Sequence, residues 1–286
     1  MANIRLIRRR IRGVQSISKI TRAMEMIATS KMRRAQEAGT AGRPYDQKIR
    51  QVIADLAAIP RTGELHPLLQ RREVKKIAVV HISPDRGLCG GLTAMLNRKS
   101  GSFIMEQKIP VTIVGVGRKG IDFMRRYGRE MRAEFTQLSD RPGLLDTLAI
   151  SRVIIDDYTS GYIDEAYIAF TRFVSTMVQT PVVERLLPIE PASSERTTAG
   201  DFDYEPDPED VLGALLPRFV EMEIYHAILE SIASEQSARM VAMRSATDNA
   251  DELVQDLTLA HNKARQEAIT TELLDISGGA AALSRN

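Results

Sequence analysis

Two glycine-rich patches are where residue types and spacing in this chain could do chemistry. Gly115, Gly117 and Gly120 form G-x-G-x-x-G directly after an apolar run at 111–117 and before a helical pattern. In that context glycines let a backbone approach a dinucleotide pyrophosphate. The motif follows the second apolar run of its region, and Glu134, the acid that would hold a ribose hydroxyl, stands after an ill-defined strand. A tight strand-to-helix turn, with Arg118 and Lys119 as solvated charges, accounts for the same residues. G-x-x-x-x-G-K-[ST] is absent, so no phosphate-cradling loop with its lysine is expected.

The second patch is "SPDRGLCGGL" at 83–92, where Gly87, Gly90 and Gly91 permit sharp turns and Cys89 is a candidate nucleophile. The nearest histidine in sequence is His81, and nothing marks a base or oxyanion donors around the thiol. A structural or contact loop is the simpler reading. Asp156 and Asp157 are adjacent, so on a helix they diverge and form no carboxylate pair. His66, His81, His226 and His261 are scattered, without metal-site spacing. No cofactor and no metal are expected.

These patches sit in an α/β region between two long helical segments. Apolar runs at 75–83, 111–117, 165–174 and 181–189 read as strands, and 92–107, 119–127 and 144–158 read as helices. Their alternation predicts a small Rossmann-like sheet with helical crossovers. A polar, proline-rich loop spans 190–207, and Asp207 followed by Pro208 is a strong helix-start signal.

From 211 to 276 the chain lacks proline apart from Pro217 and lacks glycine apart from Gly213. Met240, Met243, Ala246, Ala250, Leu253, Leu257, Ala260 and Ala264 recur at three- and four-residue intervals, the rhythm of a coiled-coil seam. At 1.5 Å per residue the helix would run roughly 100 Å and would have to project from a compact body. Ile4, Ile7, Ile11, Val14, Ile17, Ile20, Met24 and Ile27 keep the same rhythm at the N-terminus. So narrow a stripe needs a slim partner. The expected fold is therefore α/β with a long coiled coil: an antiparallel pair of the terminal helices (1–59 and 207–286) and an α/β domain at 60–206. Gly39, Gly42 and Pro44 would by local propensity end the first helix.

Composition bounds the function. The 286 residues carry a net charge of only +2, but up to Arg34 there are ten Lys or Arg against one acid, Glu25. That end should seek an acidic surface. The lone Cys89 excludes an internal disulfide and fits a reducing compartment. No apolar run reaches membrane-spanning length. The basic start has the character of a transit peptide, but its seam continues unbroken and reads as mature structure. A basic zipper on nucleic acid would place the charged segment ahead of the seam, whereas Ile4, Ile7 and Ile11 thread the seam through the arginines. A dinucleotide-dependent oxidoreductase would need a second constellation for hydride transfer, and none is visible.

The residues at 4–36, "IRLIRRRIRGVQSISKITRAMEMIATSKMRRAQ", together with "DRGLCGG", "GRKG", "YEPDPE", "SEQSARMVAMRSATDNA" and "NKARQEAITTELLDISGGAAAL", resemble the gamma subunit of F-type ATP synthases. The resemblance covers essentially the whole chain in order. Departures are Thr93 where the family often has asparagine, Pro84 within its stretch, and a terminal "SRN"; the cysteine-bearing insert of the chloroplast form is absent. The resemblance implies a non-catalytic rotor of the proton-translocating enzyme, peripheral on the cytoplasmic face of a bacterial membrane. Its coil would stand in a three-fold collar of alpha and beta subunits, its foot on the c-ring with the epsilon subunit. It touches membrane only through the c-ring and binds no nucleic acid. It also implies a first helix continuing to about Ile59, bent at most near Pro44; Pro217, by the general effect of proline in a helix, should kink or frame the start of the last helix. By similarity Arg265, Gln266 and Thr270 meet the beta-subunit catch, and Met24, Arg9, Arg10, Arg22, Lys31 and the Cys89 loop face acidic beta segments. Phe202, Tyr204 and Glu205 match the loop seated on the c-ring.

Overall fold

The computed structural model describes residues 4–58, 65–190, 205 and 207–283. Two compact units make up the chain: residues 1–27 with 240–286, and residues 28–239. Both long helices, α1 (Ile4–Ala58) and α5 (Pro208–Leu283), contribute to each. Among the described residues no helix is long and apolar enough to cross a membrane.

The larger unit is built on β1 (Ile77–Ile82), β2 (Val111–Val116), β3 (Glu130–Phe135), β4 (Glu165–Phe173) and β5 (Gln179–Leu187), in the spatial order β3-β2-β1-β4-β5. The first four strands are parallel, and β5 returns antiparallel to β4. Helices α2 (Leu92–Glu106), α3 (Arg118–Arg126) and α4 (Leu144–Thr159) make the crossovers, so the Rossmann-like expectation holds. β1 is buried throughout and therefore reads as an unbroken apolar run. β3, an edge strand of alternating exposure with the sequence EMRAEF, gave only a faint signal.

α5 starts where Asp207 and Pro208 place it. The Asp207 carboxylate accepts from the amides of Glu209 (2.8 Å) and Asp210 (2.9 Å), occupying donors that a first helical turn leaves free. Pro217 lies inside this helix and does not begin it. α1 runs unbroken through Gly39, Gly42 and Pro44, against local propensity and in line with the resemblance. One interior proline and two glycines cost about 5 kcal/mol together. Burying Ile49, Ile53 and Leu56 in the core returns about 5–9 kcal/mol, so packing wins. Gly42 is also a close approach, since a Cβ there would lie 2.5 Å from the His226 ring.

In the smaller unit α1 and α5 are antiparallel. Ser18 meets Asp251, Thr21 meets Thr247, and Glu25 meets Arg244, so numbers rise on one helix as they fall on the other. The seam differs from the apolar count. Ile4, Ile7, Ile11 and Val14 occupy it, but Ile17, Ile20 and Ile27 face outward, and Ser18 and Thr21 are buried in their place. On α5 the seam follows Met240, Met243, Thr247, Ala250, Val254, Leu257, His261, Ala264 and Ala268, while Leu253 and Ala260 are exposed. These intervals alternate three and four without a slip, a strict heptad. The hydroxyls are tolerated because they are paired: Ser18 Oγ donates to Asp251 (2.7 Å) and Thr21 lies 2.6 Å from Thr247. A paired buried hydroxyl avoids the desolvation penalty of a lone one.

Candidate interaction surfaces

The glycine motif is filled by the chain itself. A Cβ on Gly115 would lie 2.6 Å from Ile121 Cγ1, one on Gly117 1.8 Å from the Ser83 carbonyl oxygen, and one on Gly120 2.4 Å from His81. Gly117 also has φ +86°. The amides that a phosphate would use at the start of α3 are already taken. Arg118 N–H donates to Asp85 Oδ1 (2.9 Å), Lys119 N–H to the Pro84 carbonyl (3.1 Å) and Gly120 N–H to Ser83 Oγ (2.7 Å). Asp85 is thus the anion at this helix N-terminus, and its other oxygen accepts from Gln137 N–H at 2.9 Å. Glu134, the candidate ribose acid, is paired with Arg125. The crevice over the C-terminal strand ends, where doubly wound folds bind nucleotides, is lined here by the carboxylates of Asp85, Asp140 and Glu235 and by α5 residues Ile228, Ser231 and Ile232. Burial raises the Glu235 pKa, opposed by Arg239 beside it. Arg86 and Arg118 also line it, but the three acids outweigh their charge, and a phosphate would find the amides at the start of α3 already occupied. The glycines set the spacing of β1, β2 and α3.

Nor does Cys89 form a nucleophile with His81. The His81 ring is fully buried, with Nε2 3.0 Å from Asn97 Oδ1 and Nδ1 3.0 Å from Ser100 Oγ. Burial drives its pKa down to about 4. The Cys89 thiol is 2% exposed, with Sγ 3.6 Å from Thr93 Oγ1, so its side chain is not available to a partner. The loop instead presents Leu88, 63% exposed at φ +63°, with the neighbouring Gly87 carbonyl accepting from Arg239 at 3.1 Å. Sequence reasoning missed Leu88, because an apolar residue among turn glycines carries no sign of the direction it faces.

The smaller unit offers a long mixed surface. Arg9, Arg10 and Arg22 are exposed, Arg22 with an ion pair to Asp251 at 3.0 Å, and Met24 is half-buried. Arg265, Gln266 and Thr270 are exposed around the buried Ala264. Between these polar groups stand Ile17, Ile20, Met26, Ile27, Leu259, Ile269, Leu273 and Leu274, each about half exposed or more. So many large apolar side chains left in water make this the candidate interaction surface of the smaller unit. In the larger unit Lys31 is tied to Asp140 at 2.6 Å. Glu205 is exposed, and Phe202 and Tyr204 lie outside the described residues.

A family model described as ATP synthase matches residues 3–283. The ATP synthase gamma chain of Dehalococcoides mccartyi (strain ATCC BAA-2266 / KCTC 15142 / 195) is 67% identical over 285 residues, covering 99% of this chain and 100% of its own. That of Chloroflexus aurantiacus (strain ATCC 29366 / DSM 635 / J-10-fl) is 49% identical over 289 residues, with 99% and 100% covered. Among solved structures, the rotor of the Euglena gracilis mitochondrial ATP synthase aligns with TM-score 0.63 at 20% identity, over 93% of this chain and 98% of that one. The central stalk and c-ring structure of the Tetrahymena thermophila mitochondrial ATP synthase aligns with TM-score 0.60 at 21% identity, over 79% and 99%. At these identities the two structures speak for the fold, with its long terminal helices and mixed sheet.

Proposed function

The chain belongs to the ATP synthase gamma chain family, and from that membership we propose that it is the central rotor shaft coupling c-ring rotation to the catalytic cycle of the beta subunits. The observation that carries this reading is the coil: an antiparallel pair whose narrow, partly hydroxylic seam leaves large apolar residues and arginines facing outward. A shaft inside a three-fold collar meets three chemically equal partners in succession. Shallow apolar contacts and solvated guanidiniums can be exchanged between them, whereas deep knobs in pockets would hold one orientation. Each orientation biases the facing beta subunit between open and closed states, which is how rotation changes nucleotide affinity. The chain itself acts without a catalytic centre, a reading supported by the occupied glycine motif and the buried Cys89.

Arg265, Gln266 and Thr270 are the proposed hydrogen-bonding contacts to the beta-subunit catch, and Arg9, Arg10, Arg22 and Met24 face acidic beta segments. Lys31 joins them only by opening its pair with Asp140. In the "DRGLCGG" loop Leu88 takes the contact role in place of the thiol. Glu205, with Phe202 and Tyr204, belongs to the c-ring seat, and epsilon binds beside it. The membrane is reached through the c-ring alone, at the cytoplasmic face in a bacterium.

The test is reconstitution with alpha and beta subunits, with a fluorescent marker on Met105→Cys in a Cys89→Ser background. Met105 is 76% exposed, which the native thiol is not. Stepwise, ATP-driven turning of the marker is expected. A folded chain that fails to co-assemble, or that assembles without turning, overturns the rotor reading.

A further inference from the structure

Within the larger unit a cavity of about 600 Å³ lies between α1 (residues 35–50), α5 (residues 223–233) and the sheet at β4 and β5. The rotor reading makes no use of it. Its wall carries four carboxylates and four guanidiniums, unevenly paired. Arg50 Nε donates to Asp46 Oδ2 at 3.1 Å, and its Nη2 donates to Glu223 Oε1. One cation therefore holds two carboxylates side by side. Among the described residues Asp46 Oδ1 is buried with no hydrogen-bond partner, as is His226 Nε2. Two ionised carboxylates so placed would repel, and a buried acceptor left unpaired is costly.

We propose that Glu223 carries a proton and donates it to Asp46, so that the two acids and Arg50 form a proton-dependent latch joining α5 to α1. One proton relieves the repulsion and satisfies the orphan oxygen together. The remaining charged neighbours do not supply the compensation. On α1, Arg43 is solvent-exposed. On α5, His226 is held below its usual pKa, chiefly by burial, and is neutral around pH 7; Glu230 is pushed up by burial. From the sheet, Arg172 is engaged by Glu184 at 2.6 and 2.7 Å, and Arg185 by Glu190. Burial, with Asp46 alongside, raises Glu223 to about 7 against the pull of Arg50.

The latch closes where α1 is weakest. Pro44 has no N–H to give the Thr40 carbonyl, and Gly39 and Gly42 lower helix propensity on the same turns. The cavity leaves the helix room to bend there. Because the folded-state pKa of Glu223 lies above its ordinary 4.5, the folded state binds more protons between those values. The contribution is full below about pH 4.5 and is lost as pH rises through about 7. With opening as the step that restores the ordinary pKa, amide protection in α1 should fall about tenfold between roughly pH 6 and 8. Losing the latch frees α1 to flex at 39–46. The inference concerns contacts inside this unit and does not depend on the rotor reading.

Two measurements on the full chain test it. Infrared difference spectra across pH should show a protonated carboxyl band that titrates near neutral pH and is missing in Glu223→Gln. Hydrogen exchange, corrected for intrinsic rates, should show the tenfold step at 39–46 in the native chain and a flat profile in Glu223→Gln. Asp46→Asn removes the like charge and should lower the Glu223 midpoint, with burial still holding it above the ordinary carboxylate range. A native chain without the band, a band that survives Glu223→Gln, the same exchange step in both proteins, or an unmoved midpoint in Asp46→Asn would each overturn the latch.

Discussion

Replacing Gly117 by alanine separates the packing account of the glycine motif from the nucleotide account. At φ +86° and ψ 134° a side chain imposes backbone strain of about 1–3 kcal/mol. Its Cβ would also sit 1.8 Å from the Ser83 carbonyl oxygen, so β1 and β2 must part by more than an ångström at their C-terminal ends. That movement breaks the Ser83 N–H bond to the Val116 carbonyl (2.8 Å) and the Ser83 hydroxyl bond to the Gly117 carbonyl (3.0 Å), each worth about 0.5–1.5 kcal/mol net. The sum is about 2–6 kcal/mol, a large share of the 5–15 kcal/mol by which a domain is typically stable. Denaturant unfolding followed by circular dichroism should show that loss, or a chain that no longer folds. Gly90, at φ +59° with open space around it, is the control: Gly90→Ala should cost only about 1–2 kcal/mol. Gly117→Ala as stable as the native chain would refute the close-approach argument. Unchanged stability together with lost dinucleotide binding would reinstate the cofactor site.

The remaining expectations concern the buried histidine, the coil and the outer surface. His81, held neutral by burial with a pKa of about 4 against an ordinary 6.5, contributes stability that is complete above about pH 6.5 and is lost as pH falls through 4. The 2.5-unit gap is worth on the order of 3 kcal/mol, and urea midpoints between pH 4 and 7 should flatten in His81→Gln. Asp251→Ala strands the buried Ser18 hydroxyl and should lower stability by about 1–3 kcal/mol. Arg22→Ala, at an exposed pair, should cost under about 1 kcal/mol; equal losses in thermal unfolding would contradict the polar-seam assignment. Arg265→Ala with Gln266→Ala should leave the isolated chain within about 0.5 kcal/mol of native stability while reducing coupled turnover in the assembled complex. Unchanged turnover would make both residues passive surface.

Much of the architecture was legible in the chain because its signals are local. The runs at β1, β2 and β4 are apolar because these strands are largely buried, and Asp207 with Pro208 marks the start of α5 through hydrogen bonds two and three residues away. β3 was faint because it is an edge strand whose outward residues, Glu130, Arg132 and Glu134, form ion pairs with other elements. The exposed candidates Arg9, Arg10, Arg265, Gln266 and Thr270 came from family resemblance, since charge on a helix carries no mark that separates a contact from a solvated face. Cys89 looked available for want of any local sign that its loop turns the thiol inward and Leu88 outward.

The sequence by itself determined that there are two long helices, that each carries a stripe at heptad spacing, and that a parallel-type α/β region separates them. These follow from periodicity and capping, which act over a few residues. Tertiary structure decided which stripe became the seam. Ile17 and Ile20 are the more apolar choice, yet Ser18 and Thr21 are buried, because Asp251 and Thr247 reach them from the far end of the chain with matching hydrogen bonds. It decided that α1 passes Gly39, Gly42 and Pro44, because core burial outweighs propensity. And it decided the fate of the glycine motif, because Ser83 and His81 on and after β1 occupy the space that a nucleotide would need.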